Sequence, residues 1–66
     1  MYTYLQRVAL VLDAIKDAKQ RTAAARMEGD IKAYRLAGEE MLYLECCLVT
    51  EVQLLVDSEL GIIPAA

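Results

Sequence analysis

The side chains able to do chemistry in this 66-residue chain are few, and what is missing narrows the choice further. Histidine is absent, Ser58 is the single serine, and the two cysteines, Cys46 and Cys47, are adjacent. A nucleophile needs a base within hydrogen-bond reach, and neither thiol has one nearby in sequence. Successive side chains on a helix diverge by about 100°, so a bridge between neighbouring cysteines would distort the backbone. Both are therefore expected to be reduced thiols packed as small apolar residues. The isolated glycines Gly29, Gly38 and Gly61 form no phosphate-cradling loop. Glu40, Glu45 and Glu51 could face into a bundle, but helical carboxylate metal sites also use an imidazole, which this chain lacks. No catalytic residue, metal site or cofactor is expected, and the chain is read as non-enzymatic.

Two charged features remain. Residues 16–35 carry a net +3, with Lys16, Lys19, Arg26, Lys32 and Arg35 near one end of the pattern and Tyr34 as an aromatic that could stack on a base. These six residues are the candidate anion site. Residues 36–66 carry a net −6 and no base. With an isoelectric point near 4.7 the chain lacks the high basicity usual for nucleic-acid binders, so nucleic acid is a disfavoured partner and a small anionic ligand a secondary one.

The elements that must position these residues follow from apolar spacing. Thr3 with Gln6 fits a capping box that opens helix 1, expected over about 3–28. Its inward face is Tyr4, Val8, Val11, Leu12, Ile15, Ala18, Thr22 and Ala25; Leu10 falls outside it. Gly29 and Asp30 make the turn, glycine ending one helix in the left-handed conformation and aspartate capping the next. Helix 2 is expected over about 31–60, closed by Gly61 and Pro64. Ile62 should fold back on the last turn, and Ala65 and Ala66 should fray. A link this short makes the helices antiparallel neighbours.

Helix 2 carries two apolar rows. One runs Ile31, Tyr34, Gly38, Met41, Glu45, Leu48, Val52, Leu55, a heptad seam with a single carboxylate, and is expected to face helix 1. Glu45 is then either a buried polar residue that meets a cation and sets register, or one that sits at a wet rim of the bundle. The other runs Leu36, Tyr43, Cys47, Leu54 and, together with Leu10, is the expected interface with another chain.

The predicted fold is all-α: one domain over residues 1–66, an antiparallel two-helix hairpin assembling as a homodimeric four-helix bundle or a higher helical oligomer. A chain of this size seldom draws more than about 3–5 kcal/mol from its own core, and at 58% hydrophobic residues oligomerisation is the expected staple. The architecture resembles that of the Rop-type dimeric hairpin without sharing a residue motif, so no function follows from it. No stretch approaches the roughly 20 apolar residues of a membrane span, and free cysteines fit a reducing compartment; the expected location is the cytoplasm of a cell or infected host. The expected function is a small interaction module acting through helix surfaces on itself and on another protein. It would be a regulator, inhibitor or assembly adaptor of the kind phages and mobile elements encode. Two rivals are a sequestering oligomer that binds a nucleotide or other anion at the basic turn end, and an acidic inhibitor that mimics nucleic acid.

Overall fold

A computed structural model describes residues 1–65. Two helices make up the fold, α1 (Tyr4–Glu28) and α2 (Ile31–Glu59), packed against each other as an antiparallel hairpin. Thr3 accepts a hydrogen bond from the Gln6 backbone N–H at 3.1 Å, and the Gln6 side chain accepts from the Thr3 N–H at 2.8 Å. This reciprocal cap satisfies two of the donors that a helix start leaves open.

The turn is built from backbone conformation and side-chain capping together. Gly29 has φ +71°, a region unfavourable for residues with a Cβ. With that conformation its N–H reaches the Arg26 carbonyl and the next N–H, of Asp30, reaches the Ala25 carbonyl at 2.9 Å. Asp30 then accepts from the Ala33 N–H at 3.0 Å and starts α2. The same pair of bonds closes α2, from Gly61 to Ser58 and from Ile62 to Asp57. Ile62 stays 67% exposed rather than folding onto the helix end. Ala65 is exposed beyond α2, and the fraying expected of Ala66 lies outside the described residues.

The shared core is thin. Ile15, Ala18, Ala25 and Ala37 are buried, and among the described residues no large side chain is wholly enclosed. Small residues toward the turn leave little side-chain bulk between the helices there. Half-buried residues complete the α1 face: Tyr4, Val8, Val11, Ala14 and Thr22. Leu12, expected on that face, is 49% exposed because it lies one position beyond the stripe on its flank.

On α2 the row that meets α1 is not the expected seam. Ala37 is buried and Ala33, Leu44, Cys47, Glu51, Leu54 and Ser58 are half-buried in line with it, while Gly38, Met41, Leu48 and Leu55 of the expected row are half-buried on one flank. Adding Glu40, which pairs with α1, gives steps of four and three throughout. The expected row through Ile31, Glu45 and Val52 is rotated by about 100° from this one. Both rows have the right period. Size chose between them, since Ala33 and Ala37 can approach the small residues late in α1 and Ile31 and Tyr34 cannot.

The result is a rod measuring 48 × 16 × 14 Å with a radius of gyration of 14.9 Å. A compact domain of this length has a radius near 11 Å. Among the described residues no helix is long and apolar enough to cross a membrane.

Candidate interaction surface

Two ion pairs tie the helices together on one side of the seam. The Arg21 guanidinium donates to both Glu40 oxygens at 2.7 and 2.9 Å and to Asp17 at 2.8 Å. Those hydrogen bonds hold Arg21 firmly protonated and keep the Glu40 carboxyl below its ordinary range, against the opposing effect of desolvation. Nearer the open end, Arg7 donates from Nη2 to Glu51 Oε1 at 2.9 Å. Its Nε also stands 2.9 Å from Oε2, close enough for Coulombic pairing but without hydrogen-bond geometry. Arg7 lies 5.5 Å from the Tyr4 ring centroid as well. Glu40 and Glu51, not Glu45, are thus the carboxylates paired across the intrachain seam.

Glu45 is exposed in the hairpin and enters no ion pair among the described residues. This corrects the expectation of a polar residue buried between the two helices of one chain. Its surroundings are nonetheless unusual. Its neighbours one turn away on the helix surface, at i±3 and i±4, are Met41, Leu42, Leu48 and Val49, all apolar. Leu42 is 63% exposed and Val49 70%.

The expected interface residues divide between two places. Leu36, Tyr43 and Leu10 are exposed, whereas Cys47 and Leu54 are half-buried in the seam toward α1. They do not form one outer row, because the seam itself takes the positions of Cys47 and Leu54. Cys46 is exposed, its carbonyl accepting from the Thr50 hydroxyl.

The basic residues are also distributed. Lys19, Arg26 and Tyr34 line one surface groove with Thr22, Met27 and Met41. Lys16 shares the adjoining groove with Lys19 and Leu12. Lys32 and Arg35 are exposed on α2 and line neither groove. Folding also cancels the charge asymmetry of the sequence. The turn half, residues 16–46, holds six cations and six carboxylates, and the remaining net −3 sits at the open end. No group of three or more potential metal ligands comes together among the described residues.

What the sequence reasoning missed is the third apolar row of α2, on its outer side. Ile31, Leu42, Val49, Val52 and Val56 are all 40% exposed or more. The signal was present, since Leu42, Val49 and Val56 recur every seven residues and belong to neither row singled out from the sequence. No protein-family model, no curated protein and no solved structure matches the chain.

Proposed function

We propose that this chain is a non-enzymatic helical interaction module whose first partner is a second copy of itself, two hairpins associating through their helix faces into a four-helix oligomer. The observation that carries this reading is the exposed area. A folded monomer of 7.3 kDa is expected to expose about 4,200 Å², while the hairpin exposes 5077 Å². The excess, roughly 900 Å², is close to the 800 Å² or so that each partner contributes to a stable interface. Most of the chain's large apolar side chains contribute to it. A helix that is apolar nearly all round belongs inside an assembly, and α2 has that character. As regulator, inhibitor or adaptor, the assembled oligomer would present its remaining surface to another protein. Free thiols fit a cytoplasmic setting.

The test is the mass in solution across the micromolar range, by light scattering and sedimentation equilibrium. The reading expects a dimer or higher oligomer. A folded monomer throughout that range would overturn it.

One observation favours a second reading, binding of an anionic ligand: Lys19, Arg26 and Tyr34 share a groove. Titration with a nucleotide, followed by Tyr fluorescence, tests it. Mimicry of nucleic acid has less in its favour, because Glu40 and Glu51 are engaged by Arg21 and Arg7 and no continuous acidic stripe remains.

A further inference from the structure

The outer side of α2 carries a row with heptad spacing: Ile31, Arg35, Gly38, Leu42, Glu45, Val49, then Val52 and Val56. It lies about 150° around the helix from the seam with α1. Two oppositely charged residues interrupt it, Arg35 and Glu45. Both are exposed and neither enters an ion pair among the described residues. They are ten positions apart, too far to meet on one helix, where partners lie three or four apart. Gly38 has open space where a Cβ would stand.

Resting on the self-association proposed above, we infer that α2 pairs with the partner's α2, antiparallel through this outer row, in the one register that sets Glu45 against the partner's Arg35. In antiparallel pairing of two such rows, each residue faces one whose number gives a constant sum with its own. With Glu45 opposite the partner's Arg35, Ile31 faces the partner's Val49, and Leu42 faces the partner's Gly38. Two-fold symmetry repeats each layer, so both carboxylates and both guanidiniums are satisfied, and each Leu42 fits over bare backbone. The six layers span residues 31–49, roughly 27 Å at 1.5 Å per residue.

Neighbouring registers do worse on charge. Sliding seven residues one way sets Glu45 against the partner's Leu42 and Arg35 against the partner's Val52, stranding both charges in apolar surroundings. Sliding the other way carries Glu45 and Val49 past Ile31, the start of the partner's α2, which leaves Glu45 unpaired and sets Arg35 against the partner's Gly38. The chosen overlap also brings together the two turn halves, where cations and carboxylates balance, so no net repulsion opposes it. The Arg35–Glu45 pairs thereby act as the register device of the assembly.

Charge exchange and cross-linking test this together. Glu45→Arg and Arg35→Glu should each weaken the dimer by about tenfold or more in sedimentation equilibrium, and the double exchange should restore most of the affinity. Circular dichroism on the same samples separates dissociation from unfolding, and both sites are exposed in the hairpin. In a Cys46→Ser, Cys47→Ala background, a mixture of I31C and V49C chains should form the mixed disulfide, with I31C alone giving none. A wild-type dimer whose charge exchange fails to rescue, or in which I31C chains cross-link to each other, overturns this register while self-association stands. A wild-type folded monomer overturns both.

Discussion

Ile15 and Leu12 are three residues apart on α1 and have equal apolar content, yet the hairpin treats them differently. Ile15 is 8% exposed and Leu12 49%. Truncating Ile15 removes most of a buried side chain's transfer free energy and leaves a void at the seam, together about 2–4 kcal/mol. Truncating Leu12 loses about half of the 1.5–3 kcal/mol available on full burial, near 1 kcal/mol, and opens no cavity because the site already faces water. Against a core worth about 3–5 kcal/mol, Ile15→Ala should leave the dilute chain largely unfolded, whereas Leu12→Ala should remain helical. Urea titration followed by circular dichroism at the lowest workable concentration measures both. Equal costs, or a larger one for Leu12, would refute the seam described here. A Leu12 cost that grows with protein concentration would locate that side chain in the contact between copies.

The remaining predictions concern the ion-paired edge, the glycine and the thiols. Arg21 depresses the Glu40 pKa, so the folded state binds fewer protons than the unfolded chain. The stability this supplies is present above the ordinary carboxylate range and is lost as pH falls through the lowered folded value. Melting curves should therefore be less acid-sensitive in Glu40→Gln, and an unchanged acid limb would argue against the pair. Gly38→Ala should stabilise the isolated hairpin by roughly 0.5–1 kcal/mol through helix propensity, since nothing lies near the added methyl; calorimetry under dilute conditions checks the sign. Cys46→Ser should leave oligomer mass unchanged, because that side chain is exposed. Cys47→Ala should cost about 1 kcal/mol of seam packing, read from urea midpoints.

The chemistry of chain ends and turns was the most legible part of the sequence. Thr3, Gln6, Gly29, Asp30 and Gly61 act through short-range geometry, which depends on a few residues and no partner, and the all-helical hairpin follows from them. The face of α2 was not legible by the same means. A row spaced by threes and fours marks a helix side that prefers company, and α2 has three such rows. Periodicity treats them alike. What distinguishes them is fit: Ala33 and Ala37 match the alanines late in α1, while Glu40 and Glu51 find Arg21 and Arg7 across the seam. That match requires the two helices to be placed side by side before it can be read. The candidate sites suffered from the same cause, since one shift of row moved Cys47 and Leu54 inward and Glu45 outward.

The three rows of α2 also bear on why so large a share of this chain is apolar. One row suffices to hold α1, and alanines fill much of that contact. A sequence selected only for a lone hairpin would gain solubility by replacing Leu42, Val49 and Val56 with polar residues, at little cost to a seam they do not touch. Keeping them exposes apolar side chains that favour uncontrolled association. The two charges on the outer row suit a surface that must associate in one way only. Glu45 and Arg35 weaken any pairing that leaves them opposite leucine or valine, and favour the one in which they meet. A polar residue in an apolar row lowers the strength of association and raises its selectivity. On that argument Glu45→Leu, which leaves the partner's Arg35 opposite leucine, should give a weaker oligomer with a less uniform mass distribution, whereas Glu45→Gln, which keeps the shape and an acceptor for that guanidinium, should weaken it less. Native mass spectrometry and thermal melting of both variants separate the two effects. A Leu variant as uniform as the wild type would show that register is set elsewhere.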